Sequence, residues 1–198
     1  MTWGEIQIES LKKMFLNTED LSVNSLGTYK NDKKYKTYLF AMPQACNEAI
    51  KYITATLGTK VKRFTLEKTN TNDMYDLSTL INDFRKVKNI VGPTGISWKM
   101  RNSNLLEITD WHNGTIDIYY ELNPRYITSS TEINEKIDIE EMYAVIIPLY
   151  IAGELYKDDD LSMATMYMNE FMNMINIFLN GDNYIDNPKI DSIYRIGD

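Results

Sequence analysis

Few residues of this sequence could carry out catalysis. His112 is the only histidine, and it follows Trp111 at a predicted turn of the chain. A catalytic histidine requires a nucleophile and an orienting partner, and a metal site requires several ligands. Neither pattern is visible around His112. We therefore expect Trp111 and His112 to lie at the tip of a turn, where they can contact another protein.

Carboxylates are the other candidates for chemistry. Asp158, Asp159 and Asp160 are adjacent, so their side chains point in different directions, and the glycine-containing loop of a calcium-binding hand is absent. Asp160 stands where its side chain can cap a helix that begins at Leu161. We expect no metal site and no cofactor, although an ion bound between subunits stays open.

A second acidic cluster lies further towards the N-terminus. Its members are Glu132, Glu135, Asp138, Glu140 and Glu141. They occupy a polar connector and the first turn of a helix, where negative charge interacts favourably with the helix dipole. We therefore expect no catalytic residue among them.

Length, charge and cysteine content limit the class of protein. The 198 residues suffice for the core of one domain with a smaller subdomain, and the single cysteine, Cys46, cannot form an intramolecular disulfide. No window approaches the roughly 18 apolar residues of a membrane span, so we expect a soluble protein with no membrane partner. The net charge of −7 argues against tight binding of nucleic acid, because that affinity depends largely on lysine and arginine.

Hydrophobic periodicity divides the chain into four predicted parts. Residues 1–59 carry N-terminal helices, residues 60–127 a β subdomain, residues 128–180 a C-terminal helical hairpin, and residues 181–198 an extended tail. The predicted fold class is α+β. It is mainly an α-helical bundle with a C-terminal helical hairpin and an inserted small antiparallel β subdomain.

Proline and glycine mark the predicted ends of several elements. Pro43 predicts either a kink near Leu39 or a helix that starts close to the proline. Gly58 is expected to cap the end of this helix, and Pro124 to end the last strand. The Asn113-Gly114 pair predicts a β-hairpin between the segments LLEIT and TIDIYYEL.

The predicted hairpin covers residues 139–179. Apolar residues recur at helical spacing in its first half, at Met142, Val145, Ile146, Leu149, Tyr150, Gly153 and Tyr156. A second stripe runs through Ala164, Tyr167, Met168, Phe171, Met172, Ile175 and Leu179. Two amphipathic helices joined by a short polar turn are expected to lie antiparallel.

This part of the chain resembles the head-to-tail adaptor proteins of tailed bacteriophages, the connector or tail-tube ring proteins that dock beneath the portal. In that family a β element with a tyrosine-proline phrase leads to a helix that ends in an acidic run, and an alanine-containing helix follows. Tyr120, Pro124, Asp158–Asp160 and Ala164 match this pattern. The opening TWGEIQIESLKKMF is similar to the family's first helix. The resemblance covers most of the chain in outline and residues 119–175 in residue pattern.

The resemblance implies a structural virion protein of the head-tail junction, not an enzyme, that is assembled in the host cytoplasm. It implies a homo-oligomeric ring, a dodecamer, that docks under the portal protein and extends the DNA channel. Genomic DNA would pass through this ring without specific binding, and a tail or nozzle protein would attach to it.

The residues expected at these interfaces lie in two places. Contacts with the portal or a neighbouring subunit are expected at Tyr184, Ile185, Ile193, Tyr194 and Arg195. Contacts with the tail component are expected at Trp111 and His112. The alternative function is a small non-enzymatic protein-binding module that acts as a monomer or dimer. A hydrolase that uses clustered carboxylates is a third interpretation.

Overall fold

The structure is a computed structural model that describes residues 1–15, 21–67, 73–109, 111 and 113–182. Its helices are α1 (Trp3–Met14), α2 (Leu26–Tyr29), α3 (Lys36–Thr56), α4 (Leu77–Leu80), α5 (Glu141–Ala144), α6 (Ile147–Leu155) and α7 (Leu161–Asp182). Its strands are β1 (Val61–Glu67), β2 (Met74–Asp76), β3 (Phe84–Val91), β4 (Ser97–Met100), β5 (Leu105–Thr109) and β6 (Thr115–Leu122). The mixed α+β composition predicted from the sequence is confirmed.

Helix α1 begins with a capping box. The Thr2 hydroxyl accepts a hydrogen bond from the Glu5 amide at 3.3 Å, and the Glu5 carboxylate accepts one from the Thr2 amide at 2.8 Å. This reciprocal pair satisfies two amide groups that have no partner within the helix. Ile6 and Leu11 on the inner face of the helix are fully buried.

Helix α3 continues through Pro43. The helix begins at Lys36 and ends at Thr56, so a start close to the proline is wrong. Proline removes one backbone hydrogen bond, but the turn before it buries Leu39, which compensates for the loss. Gly58 follows the helix with a φ of +90°, a conformation that glycine adopts without steric cost and that often ends a helix.

The strands form two three-stranded antiparallel sheets, with strand orders β1-β6-β3 and β2-β5-β4. The predicted hairpin between β5 and β6 is wrong, because these consecutive strands belong to different sheets. Gly114 does adopt the expected positive φ, +87°, but the turn leads the chain from one sheet to the other. Strand β6 is paired on both sides, by β1 and β3, so it has no free edge for β5.

The two sheets share one hydrophobic core. Leu106 and Ile108 of β5 and Ile116 and Ile118 of β6 are buried in the same cluster. Leu77 of α4 joins this cluster and is also fully buried. We call β1–β6 with α4 the β unit.

In the first half of the predicted helical hairpin, the side chains that face the core are not all those that the sequence periodicity indicated. The first predicted helix is divided into α5 and α6, with Pro148 in the first turn of α6. Because the helix restarts there, Tyr143 and Ile147 turn inwards. Met142 and Val145, which the stripe placed in the core, are about half exposed, at 52% and 49%.

Helix α6 lies at the centre of the other hydrophobic core. It contacts α1, α3 and α7, and its residues Ile151 and Ala152 are fully buried. Gly153 brings α6 close to α7: a Cβ at this position would lie 3.2 Å from the Ala164 carbonyl oxygen. We call α1, α3, α5, α6 and α7 the helical unit.

Polar contacts hold α3 against the β unit and against the segment that follows β6. In that segment Ile127, which belongs to the helical core, donates its amide to the Asn47 side chain and accepts from it through its carbonyl, each at 2.8 Å. Arg85 of β3 donates to the Thr54 carbonyl of α3 at 3.2 Å. The buried hydrophobic residues form two separate clusters, one in each unit. The predicted part boundaries at residues 60, 128 and 181 stay a prediction.

Candidate functional site

The acidic corner before α7 has a structural role. Asp160 Oδ1 accepts hydrogen bonds from the Ser162 and Met163 amides at 2.9 and 3.1 Å, which is the capping geometry expected from the sequence. Asp159 accepts a hydrogen bond from the Tyr38 hydroxyl at 2.6 Å, and this bond, with burial, raises the pKa of Tyr38 to about 12. The described residues contain no group of three or more histidine, cysteine or acidic side chains that could hold a metal ion.

The second acidic cluster is tied to a basic side chain. Arg125 pairs with Glu135 and with Asp138, each at 2.8 Å. A glycosidase needs two carboxylates that face each other across a cleft and are available to a substrate. Glu135 and Asp138 instead hold the connector against the residue that follows Pro124, so the geometry offers no support for that chemistry.

The position of Trp111 contradicts the prediction that it lies exposed at a hairpin tip. Its side chain is only 3% exposed and belongs to the core of the β unit, where its ring centroid lies 5.9 Å from that of Tyr75. Because β5 and β6 separate into two sheets, the indole fills the space that opens between them. An interface role for Trp111 at an exposed hairpin tip is therefore wrong. Its neighbour His112 lies outside the described residues.

The other predicted interface residues also fall outside the described part of the chain. They are Tyr184, Ile185, Ile193, Tyr194 and Arg195. Of the residues expected to be structural, Gly58 ends α3 as described, and Pro124 follows β6 at the junction of the two units. Pro124 borders a cavity of about 380 Å³ there, together with Asn47, Arg85 and Tyr126.

The basic residues of the β unit are mostly neutralised within the chain. Lys62 pairs with Asp83 at 2.6 Å, and Arg85 and Lys88 pair with the buried Glu121 at 3.3 and 2.9 Å. Paired cations are poorly available to phosphate groups. This part of the surface therefore offers little unpaired positive charge to a nucleic acid.

The first exposed apolar surface lies on α7, and we call it the α7 flank. It consists of Leu161, Met168, Met172 and Leu179, whose spacing of seven, four and seven residues places them on one side of the helix. Leu161 is 70% exposed, and Met172 and Leu179 are each 36% exposed. Next to Met168 and Gly153 a shallow depression of about 240 Å³ lies between α6 and α7.

The second apolar surface is a groove of about 420 Å³, which we call the α1–α3 groove. Its apolar walls are Trp3, Leu39, Phe40 and Pro43. Phe40 is 82% exposed, the largest exposure among the large apolar side chains of the described residues. A volume of several hundred cubic ångströms is in the range of natural binding pockets.

Two kinds of polar group border the α1–α3 groove. Lys30 and Lys36 are exposed at its edge and make no ion pair with a described residue. Gln7 lies within the wall, is 2% exposed, and its Oε1 atom is buried with no hydrogen-bond partner among the described residues. Leaving a buried polar group without a partner costs about 1–3 kcal/mol, so Gln7 is costly to the isolated subunit.

Sequence periodicity contains a signal for both groove residues. Gln7 is a polar residue on the apolar side of α1, between Trp3 and Leu11. Phe40 is a large apolar residue that follows Leu39 directly, so it cannot share the buried side of α3. A search for residues that violate the helical pattern would have found both positions.

Comparison with known proteins adds no relative. No protein-family model matches the chain, and no curated protein matches it. No helix of the described residues is long and apolar enough to cross a membrane. The function is therefore argued from the two apolar surfaces and from the residue pattern of the C-terminal half.

Proposed function

We propose that this protein is a structural head-to-tail adaptor of a tailed bacteriophage virion and acts without catalysis. Its copies form a ring that docks under the portal protein, extends the DNA channel and provides the attachment platform for the tail. The observation that carries the proposal is the pair of separate apolar surfaces on the helical unit. The pattern of Tyr120, Pro124, Asp158–Asp160 and Ala164 supports the same assignment.

A head-to-tail ring needs two different contact surfaces on each subunit, because each copy meets one neighbour on each side. The α1–α3 groove, with Phe40, and the α7 flank, with Leu161, lie on different helices. Each contains a strongly exposed apolar residue. Contact between the groove of one copy and the flank of the next would cover both in every member of a closed ring.

The charge of the chain fits a channel that lets DNA pass. The net charge is −7, and Lys62, Arg85 and Lys88 of the β unit are paired with acidic side chains, which makes them less available to phosphate. Counterion release by free cations is the main source of non-specific DNA affinity. A ring of such subunits would therefore hold DNA weakly, which suits a conduit.

In the proposed assembly the helices form a bundle in which α6 and α7 are the C-terminal hairpin, and this bundle makes the ring. The β unit is then free to face the tail or nozzle protein. Segment 183–198, which contains Tyr184, Ile185, Ile193, Tyr194 and Arg195, is proposed to contact the portal or a neighbouring subunit. The virion is the proposed location, with assembly in the host cytoplasm.

Electron microscopy of the purified protein, alone and mixed with the portal of its own virus, tests the assembly directly. We expect rings, or additional density stacked under the portal. Dispersed particles in both samples would contradict the proposal and favour the monomeric or dimeric binding module.

Two variants test whether the ring is built head to tail. Phe40→Asp destroys one surface and Leu161→Asp the other, and both positions are exposed, so both chains should fold. Each variant alone is expected to lose ring formation.

In an equal mixture, each chain still offers the surface that the other has lost, so sedimentation should show heterodimers and no larger species. Homodimers of either variant would instead indicate a two-fold interface. Val91→Asp, 51% exposed on β3, is the matched control and should form rings.

A further inference from the structure

The buried amide of Gln7 indicates what kind of ligand fits the α1–α3 groove. A primary amide carries a donor and an acceptor side by side, and so does each residue of an extended polypeptide. An ionised carboxylate could accept from this amide but could not donate to its buried Oε1 atom. An extended peptide segment supplies both groups.

The rest of the groove specifies the side chains of that segment. Its apolar walls, which include Leu39 and Phe40, suit an aliphatic side chain. Lys30 and Lys36 at its edge suit a carboxylate next to it. The expected ligand is thus an extended segment in which an aliphatic residue adjoins an acidic one.

The chain itself carries two such pairs after α7. They are Ile185-Asp186 and Ile190-Asp191, within segment 183–198. The segment follows Asp182, the last residue of α7, and would span about 50 Å if extended. The described residues that line the groove come from α1, α3 and two polar loops, and none of them belongs to α7. The tail would therefore have to extend away from the end of α7 to reach a groove.

We propose that the α1–α3 groove binds an isoleucine-aspartate pair from segment 183–198 of a neighbouring copy. The Gln7 amide bonds to the peptide backbone, the isoleucine packs on Phe40, and the aspartate pairs with Lys36. The choice of a neighbouring copy rests on the proposed ring. In that ring the α7 flank covers the outer part of the groove wall, and the tail that continues from the same α7 fills the groove.

Disulfide trapping in the full-length protein tests the inference. A chain with Thr37→Cys, at an exposed position that lines the groove, is mixed with a differently tagged chain that carries Asn187→Cys or Ser192→Cys, directly after an isoleucine-aspartate pair. Oxidation should yield covalent heterodimers that carry both tags. Cys46 is fully buried and does not compete. Thr56→Cys is the matched control, because Thr56 is an exposed threonine at the other end of α3.

The outcomes separate this inference from the proposed function. Cross-linking that equals the Thr56→Cys control overturns the groove assignment, even if microscopy shows rings. A bond that forms only within one chain, in a Thr37→Cys/Ser192→Cys double variant, overturns the choice of a neighbouring copy. Efficient cross-linking between copies without portal binding would support the groove and contradict the adaptor function.

A second variant examines the role assigned to Gln7. Gln7→Met removes the unpaired amide but keeps similar volume. We expect the Tm to rise by about 2–4 °C while the cross-linking yield falls about fivefold. Ser10→Ala, at a buried position one turn further along α1, should leave the yield unchanged. An unchanged yield for Gln7→Met would overturn the proposed backbone contact.

Discussion

The helical unit and the β unit complete their surfaces in different ways. In the β unit the charged side chains pair with one another, as Lys62 does with Asp83 and Lys88 with Glu121. In the helical unit Phe40 and Leu161 are 82% and 70% exposed, and the Gln7 amide lacks a partner within the described residues. The β unit thus pairs most of its charged groups internally, whereas the helical unit leaves two strongly exposed apolar side chains that a neighbouring copy would cover in the proposed ring.

The difference also affects where mutations act. A change at an exposed apolar position of the helical unit should alter assembly and leave the fold intact. A change in the β unit should alter its stability, since its polar side chains are used internally. The four predictions below test how separate the two units are.

Replacing Phe171 is the strongest test of whether the two hydrophobic cores unfold independently. Its side chain is fully buried in the helical unit, with the rings of Tyr52 and Tyr150 at 5.6 and 5.2 Å. Phe171→Ala should lower the free energy of unfolding by about 3–5 kcal/mol, because it leaves a cavity. Hydrogen exchange should accelerate in peptides from α3, α6 and α7 and stay unchanged in those from β1, β3 and β6. Equal acceleration everywhere would show that the units unfold as one.

The raised pKa of Tyr120 should make the β unit less stable at alkaline pH. Burial, followed by its hydrogen bond to Asp83 at 2.9 Å, raises the pKa of Tyr120 to about 12, from the usual value of 10. Between these values the folded state keeps a proton that the unfolded state has lost. The stabilisation is therefore complete below pH 10 and disappears as the pH rises through 12.

Denaturation of wild type and Tyr120→Phe at pH 9 and pH 12 would measure this effect. Wild type should lose about 2 kcal/mol more than the variant over this interval. Tyr38 also has a raised pKa, but it is present in both proteins, so its contribution to the pH dependence of stability cancels in the comparison. Parallel losses would contradict the assignment.

Glu121 tests the internal pairing of charges. Its side chain is 8% exposed and meets both Arg85 and Lys88. Glu121→Gln should destabilise the protein by about 2 kcal/mol, because both cations lose a buried partner. Asp117→Asn is the control: Asp117 meets Arg63 at 3.7 Å in a more exposed pair, and its replacement should cost less than about 1 kcal/mol. Equal costs in urea denaturation would show that burial of the pair is unimportant.

Asp160 gives the smallest expected effect. Asp160→Ala removes the cap of α7 and should cost about 1 kcal/mol, with faster amide exchange confined to the first turn of the helix. Asp158→Ala, at an exposed position two residues earlier, should change neither quantity. If both variants behave alike, the hydrogen bonds from Ser162 and Met163 do not stabilise the helix.

The elements predicted well are those set by local chemistry. The Asp160 cap depends only on the three residues that follow it. The positive φ of Gly58 and of Gly114 likewise follows from residue type. Neighbouring residues decide such features, so a single sequence is enough to predict them.

The errors concern choices between distant partners. The Asn113-Gly114 turn is compatible with a hairpin, but β6 finds both its partners elsewhere, in β1 and β3. That pairing buries Trp111, which local sequence could not reveal. The helix restart at Pro148 similarly shifts Met142 and Val145 out of the core. In both cases packing against remote elements overrides a local preference.

Two hydrogen bonds join the two ends of the helical unit, and they bear on how the protein is made. The hydroxyls of Tyr156 and Tyr167 donate to the backbone carbonyls of Met14 and Lys13, which lie 142 and 154 residues earlier in the sequence.

During synthesis α1 therefore leaves the ribosome long before α6 and α7 exist to cover it, whereas every strand of the β unit lies between Val61 and Leu122. The β unit can fold while translation continues, but the helical core must wait for nearly the whole chain. The surface that would build the ring is thus the last to form, which delays contact between unfinished copies.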